Sequence, residues 1–219
     1  APAGPLPERI ADLDALEELL SRPSPAVIRD LSALDGDIIL LGAGGKIGPS
    51  LARMARRACP GRRIYAVARF SEAGVREGLE ADGIECLTAD LLDRAAIEGL
   101  PKAKNVLFLA GMKFGSSGQQ ALTWAMNAHL PALVAEAFRE SRIVAFSTGC
   151  VYPFVPVNSG GATEELPPRS PGDEERSQRR LARADRLRLS LFRRTERRGA
   201  ALGARLRLRR SEHRRRRAV

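Results

Sequence analysis

Two hydrophobic rhythms alternate along the chain from Gly36 onward. Short apolar runs at residues 38–41, 63–68, 84–88, 105–110 and 142–147 read as strands. The run at 105–110 is the most apolar and reads as a central strand buried on both faces. Between the runs, apolar residues three and four apart predict helices. After the first run Ile47, Leu51, Met54, Ala55 and Ala58 share one face, with Arg53, Arg56 and Arg57 turned elsewhere. Further helices are predicted over 74–81, 93–100 and 119–140. Upstream, Ile10, Leu13, Leu16, Leu19 and Leu20 mark a helix over 8–20, and a second follows over 25–34.

Strand–helix alternation repeated in this way predicts an α/β fold. The architecture expected is a Rossmann-like doubly wound parallel sheet with helices on both faces, preceded by two N-terminal helices. Right-handed crossovers would bring every strand's carboxyl end to one edge, where such sheets bind ligands. The chain then divides into an N-terminal helical extension (1–35), the nucleotide-binding domain (36–168) and a tail (169–219).

The residues at those strand ends carry the chemistry. Four glycines fall within seven residues, Gly42, Gly44, Gly45 and Gly48, between the first strand and its helix. Gly42 suits a tight turn off the strand, Gly45 a close backbone approach to a pyrophosphate, and Gly48 close helix–sheet packing. Phosphates would rest on the free N–H groups of this turn, which includes Lys46 and Ile47, at the positive end of the helix. Pro49 costs nothing in a first helical turn. A Walker-type loop is excluded, since Ile47 follows Lys46 where Ser or Thr is needed and Leu40 stands where the earlier Gly belongs.

The second strand ends at Arg69, where an acid would bind the ribose hydroxyls of NAD; a cation there favours the 2′-phosphate of NADP, or is simply solvated. The third ends at Asp90, placed to accept the adenine amino group beside the Leu91 N–H, or to cap the helix that follows. The fourth ends at Ala110 and Gly111, small enough for a ribose or nicotinamide to lie close. The fifth leads into Thr148.

Charge changes the picture only at the tail. The formal net charge is +10, yet residues 1–168 hold 17 basic against 20 acidic side chains, whereas residues 169–219 hold 19 Arg, no Lys and six acids. A basic core that binds nucleic acid is thereby excluded. Cys59, Cys86 and Cys150 lack metal-ligand spacing and read as buried free thiols. With no run of about 18 apolar residues and no basic-then-apolar leader, the expectation is a cytoplasmic protein without a membrane span.

Taken together, residues 42–48 (G-A-G-G-K-I-G), 89–91 (A-D-L), 109–111 (L-A-G), 127–128 (N-A) and 147–152 (S-T-G-C-V-Y) resemble the extended short-chain dehydrogenase/reductases. The likeness is to their NAD(P)-dependent epimerase/dehydratase family, over roughly residues 36–168. It implies NADP or NAD as cofactor, a nucleotide sugar as substrate, and a homodimer. It adds Asn127 to the cofactor contacts, with Lys113 as a candidate substrate contact. Thr148 would hydrogen-bond the substrate's reacting oxygen. The same family uses a Tyr with a Lys four residues on, about 25 residues past the Thr, to move the proton during hydride transfer. That pair is missing here. Asp173, Glu174, Glu175 and Gln178 occupy the region, the last Tyr is Tyr152 and the last Lys is Lys113.

The tail has three readings. It is a basic arm for nucleic acid or another polyanion, a solvated arm with a helix over 181–192 and a strand over 200–208, or an out-of-frame translation of a GC-rich gene. Three functions remain open on the sequence. One is a catalytically incomplete epimerase/dehydratase-type NAD(P)-binding protein. A second is a dinucleotide-sensing module with a polyanion-binding tail. The third is an oxidoreductase with another acid/base, such as Lys113 or Tyr152.

Overall fold

The computed structural model describes residues 7–112, 118–147, 152, 154–163 and 165–166. Each apolar run yields a strand: β1 (Ile38–Leu41), β2 (Ile64–Ala68), β3 (Glu85–Thr88), β4 (Asn105–Phe108) and β5 (Arg142–Ala145). They form one sheet in the order β3-β2-β1-β4-β5, and every pair is parallel. Leu41, the last residue of β1, stands level with Val67 on β2 and Phe108 on β4.

Successive residues of β1 feed opposite faces, and both faces are covered. Ile39 and Leu41 join Val106, Phe108, Leu130 and Phe138 under α5 (Arg94–Glu98) and α7 (Leu130–Ala137). Ile38 and Leu40 join Ala52, Ala55, Ile64 and Leu79 under α3 (Gly48–Ala58) and α4 (Val75–Ala81). All four β1 residues are therefore buried, which is why the strand reads as an unbroken apolar run.

Several expectations change. The sheet-facing side of α3 is Gly48, Ala52, Ala55 and Ala58, all small, because the helix lies close on the sheet. Leu51 and Met54 are half-buried flanking residues, and Ile47 precedes the helix and is 59% exposed. The single helix expected over 119–140 is interrupted. It runs as α6 (Gln120–Trp124), a π-turn (Ala125–His129) and α7. Pro131 has no N–H to offer the preceding turn and its ring crowds that turn's carbonyls, so the chain widens and Leu130 N–H donates to Ala125 O. Finally, the cap of α5 is Asp93, accepting from Ala95 N at 2.9 Å, and not Asp90.

The N-terminal helices α1 (Leu13–Leu20) and α2 (Pro25–Ser32) start where side chains cap them, Asp12 to Ala15 N at 2.8 Å and Ser24 to Val27 N at 3.2 Å. The helix expected to begin at residue 8 thus begins at Leu13. Both pack on α3, yet neither contains a buried residue. Cys59 and Cys86 are buried free thiols. Cys150 and the tail, including its helix, strand and polyanion-arm readings, lie outside the described residues. Among the described residues no helix is long and apolar enough to cross a membrane, and no cluster of His, Cys, Asp or Glu could hold a metal ion.

Burial under α4, with the Glu80 carboxylate nearby, pushes the Cys86 thiol from 9.0 up to about 11. The folded chain then keeps a proton that the unfolded chain releases. The stabilisation is complete below about pH 9 and is lost as pH rises toward 11. Thermal melts over that window are expected to fall less steeply for Cys86→Val than for wild type. Tyr65, also raised by burial, leaves some slope behind.

Candidate functional site

The sheet order reverses between β1 and β4, and the chain leaves both strands on the same edge. There Leu41 O accepts from Leu109 N (2.8 Å) and Ala110 N (3.1 Å), while Val67 O accepts from Gly42 N (2.9 Å) and Ala43 N (3.0 Å). These shared carbonyls end the ladder and turn the chain. Gly42 takes φ +94°, and a Cβ on it would stand 2.6 Å from Ala110 N. Only glycine fits. At Gly48 a Cβ would run into the backbone of Ala43, and at Gly44 it would press on Ala68 Cβ at 3.0 Å. Gly45 differs, because an added Cβ would meet only Gly42 O at 3.8 Å. The fold has no need of a glycine there.

The turn leaves an anion cradle. Gly48 N donates to Gly45 O at 3.2 Å, but the N–H groups of Gly44, Gly45, Lys46 and Ile47 have no partner among the described residues. They sit directly before α3, whose N-cap residue, Ile47, has no side chain able to cap it. Free donors and the positive end of an 11-residue helix coincide.

A cleft of about 450 Å³ opens beside this turn, within the range of small-molecule sites. Its walls are Gly42, Gly44 and Gly45, residues 68–71 at the end of β2, 89–92 after β3 and 109–112 after β4, together with Leu122 and Met126. Five of the sequence-predicted positions outside the glycine turn are accounted for here or nearby. Arg69, Asp90, Leu91, Ala110 and Gly111 line the cleft. Arg69 is exposed and has no ion-pair partner among the described residues. One oxygen of Asp90 accepts from Leu92 N at 2.9 Å, bending the chain after β3. Leu91 is itself buried in the core, so the backbone is its free part.

Other positions stand differently. Lys46 and Ile47 are exposed and their side chains are not part of the cleft wall, so what the turn offers there is N–H groups. Asn127, in the π-turn and 2% exposed, accepts from Met112 N at 2.8 Å and donates to Met112 O at 2.8 Å. Its amide is fully engaged in fixing the loop after Gly111. Thr148 and Lys113 lie outside the described residues.

Phe70, Ser71, Met112, Leu122 and Met126 also line the cleft and were not expected. Leu122 and Met126, four apart on one helix, carried a periodic signal that merged with core packing. Phe70 carried none. It takes φ +48°, the one non-glycine in the left-handed region among the described residues, and turns the chain just past Arg69.

No family model and no curated protein matches the chain. Solved structures do match. MoeE5 in complex with UDP-glucose and NAD is 21% identical, with a TM-score of 0.57 over 73% of this chain and 49% of that one. The Bordetella bronchiseptica enzyme WbmH in complex with NAD+ is 17% identical, with a TM-score of 0.58 over 73% and 52%. Helicobacter pylori ADP-L-glycero-D-manno-heptose-6-epimerase is 16% identical, with a TM-score of 0.54 over 72% and 49%. The likeness is one of fold. It is the Rossmann-like α/β fold, and this chain spans about half the length of the solved chains it matches.

The two kinds of glycine make a direct comparison. Gly48→Ala must push backbone against backbone and is expected to lose about 1–3 kcal/mol of stability or fail to fold. Gly45→Ala is expected to unfold in urea close to wild type, and equal losses for the two would show that the turn is tighter at Gly45 than this geometry allows.

Proposed function

We propose that the chain binds a dinucleotide across the cleft, NADP in preference to NAD, with its pyrophosphate on the N–H groups of residues 44–47. The observation that carries this reading is the run of free donors at an uncapped helix start. Arg69 supplies the preference. It stands on the cleft wall with no ion-pair partner among the described residues, where an acid would repel a 2′-phosphate. Asp90 retains one carboxylate oxygen for an adenine amino group, and Ala110 and Gly111 leave room for the ribose and nicotinamide.

A nucleotide sugar is the second ligand of this proposal. Solved chains of the same fold hold UDP-glucose or UDP-glucuronic acid beside NAD. Thr148 and Lys113 are the residues assigned to it here. A bound nicotinamide would supply hydride transfer, and the chain's own part is to bind, orient and exclude water. The proton step is where it falls short. Beyond Thr148 the sequence holds one Tyr, Tyr152, and no Lys, so no phenol with a lysine four residues on can shuttle a proton to a developing alkoxide. A carboxylate from Asp173, Glu174 or Glu175 is already ionised at neutral pH and would oppose that charge. Binding without turnover is the function proposed.

Fluorescence titration with NADPH and NADH tests this. NADPH is expected to bind the tighter of the two. Arg69→Ala should weaken NADPH by about tenfold or more, the worth of a charge-assisted hydrogen bond, and leave NADH within about twofold. Gly45→Ala should abolish binding of both, and NADPH with UDP-glucose should show no consumption. Saturable binding of neither dinucleotide by the wild-type protein would sink the proposal.

A further inference from the structure

We propose that α1 belongs to the working parts of the dinucleotide site. In this view Glu17 is a positioning residue that holds the first turn of α3, and with it the N–H cradle, in place. The inference rests on the dinucleotide reading above.

The cradle has an unusual weakness. A helix start is ordinarily steadied by a capping side chain that takes up its free N–H groups. Here the cap position is Ile47, which makes no such bond, and the donors are left open. Ser50, third in α3, has a hydroxyl of the kind that often bonds locally in a first turn. Instead it donates outward to Glu17 Oε2 at 2.7 Å. The other oxygen of Glu17 accepts from Arg53 at 2.8 Å, one turn along the same helix. Arg53 in turn donates to Asp82, at the end of α4, at 2.6 Å. One carboxylate thereby ties the uncapped turn to α1 and, through Arg53, to α4.

This link is better shielded than the second ion pair that ties α1 to α3. Glu17 and Arg53 are 32% and 20% exposed, against 51% and 37% for Glu18 and Arg57. Screening by water and salt is correspondingly weaker. The apolar docking of α1 is partial, with Leu16 and Leu19 half-buried. None of its residues is buried, and Leu13 and Leu20 are 80% and 50% exposed. The polar contacts it makes with α3 are directional, suited to fixing where a turn lies. Glu18 supplies the built-in control, since it pairs with Arg57 at 2.6 Å in the last turn of α3, far from the cradle.

The experiment is NADPH titration and thermal melting of the full chain in five variants: Glu17→Ala, Glu17→Gln, Ser50→Ala, the Glu17→Ala/Ser50→Ala double, and Glu18→Ala. Glu17→Ala and Ser50→Ala are expected to weaken NADPH by about five- to tenfold, the worth of one hydrogen bond. The double variant should be no weaker than either single one, because the two side chains act as one contact. Glu17→Gln, which keeps an acceptor for Ser50, should recover most of the affinity. Glu18→Ala should lower the melting temperature with its dissociation constant unchanged. The proposal is overturned if Glu17→Ala and Glu18→Ala lower the melting temperature alike and neither alters binding, or if Glu17→Ala tightens binding. Wild-type protein that binds no dinucleotide overturns both readings, whereas wild-type binding with an unchanged Glu17→Ala constant overturns only this one.

Discussion

The carboxyl ends of β1 and β4 approach at Gly42 more closely than any side chain permits. Leu41 O holds the N–H groups of both Leu109 and Ala110, so the backbone of β4 swings across the end of β1. A Cβ on Gly42 would stand inside that backbone. The consequence is geometric. The chain must turn away from the sheet at once, in a conformation with positive φ, and the next helix must begin within a few residues. Because Gly48 and three alanines let α3 lie flat on the sheet, the turn is pressed against the crevice where the strand order reverses. The cradle exists because two strands crowd each other.

The same crowding explains which parts of the fold were legible in sequence. The central strands β1 and β2, buried throughout, read as unbroken apolar runs, and the partly buried edge runs became β3 and β5, trimmed where the chain bends off the ladder. The α3 face is legible in part, since Ala55 and Ala58 are buried and Leu51 packs half-buried on the same core, but apolar periodicity does not weigh size. The fully buried positions of α3 are glycine and alanine alone, with Leu51 and Met54 half-buried beside them. The helix over 119–140 looked continuous because its amphipathic pattern survives a π-turn, and the consequence of Pro131 depends on neighbours four residues back. Both Asp90 and Asp93 can cap a helix; which one does so depends on where the chain bends after β3, a three-dimensional matter.

Legibility at the site follows a similar division. Arg69, Asp90, Ala110 and Gly111 were found because topology brings strand ends together whatever their side chains do. What the side chains do was less readable. Asn127 looks like a ligand contact in sequence and turns out to spend both amide atoms on Met112. Lys46 and Ile47 sit inside the glycine spacing yet keep their side chains off the cleft wall. Phe70 adopts a backbone conformation that no local residue preference predicts, since glycine or asparagine would be favoured there.

A site built in this way separates binding from chemistry. Nearly all that the described cleft offers an anion is backbone, together with Arg69, a cation with no ion-pair partner among the described residues. The cost falls elsewhere. A helix start that leaves its donors open for a ligand forgoes the capping bond that would have steadied it, and in the absence of ligand something outside the turn must do so. On this chain the outside contact is Glu17, reaching Ser50 and Arg53 from a helix that lies before the first strand. The N-terminal extension packs Leu31 of α2 against the core beside β1, and on the proposal above its first helix has a further role at the glycine turn.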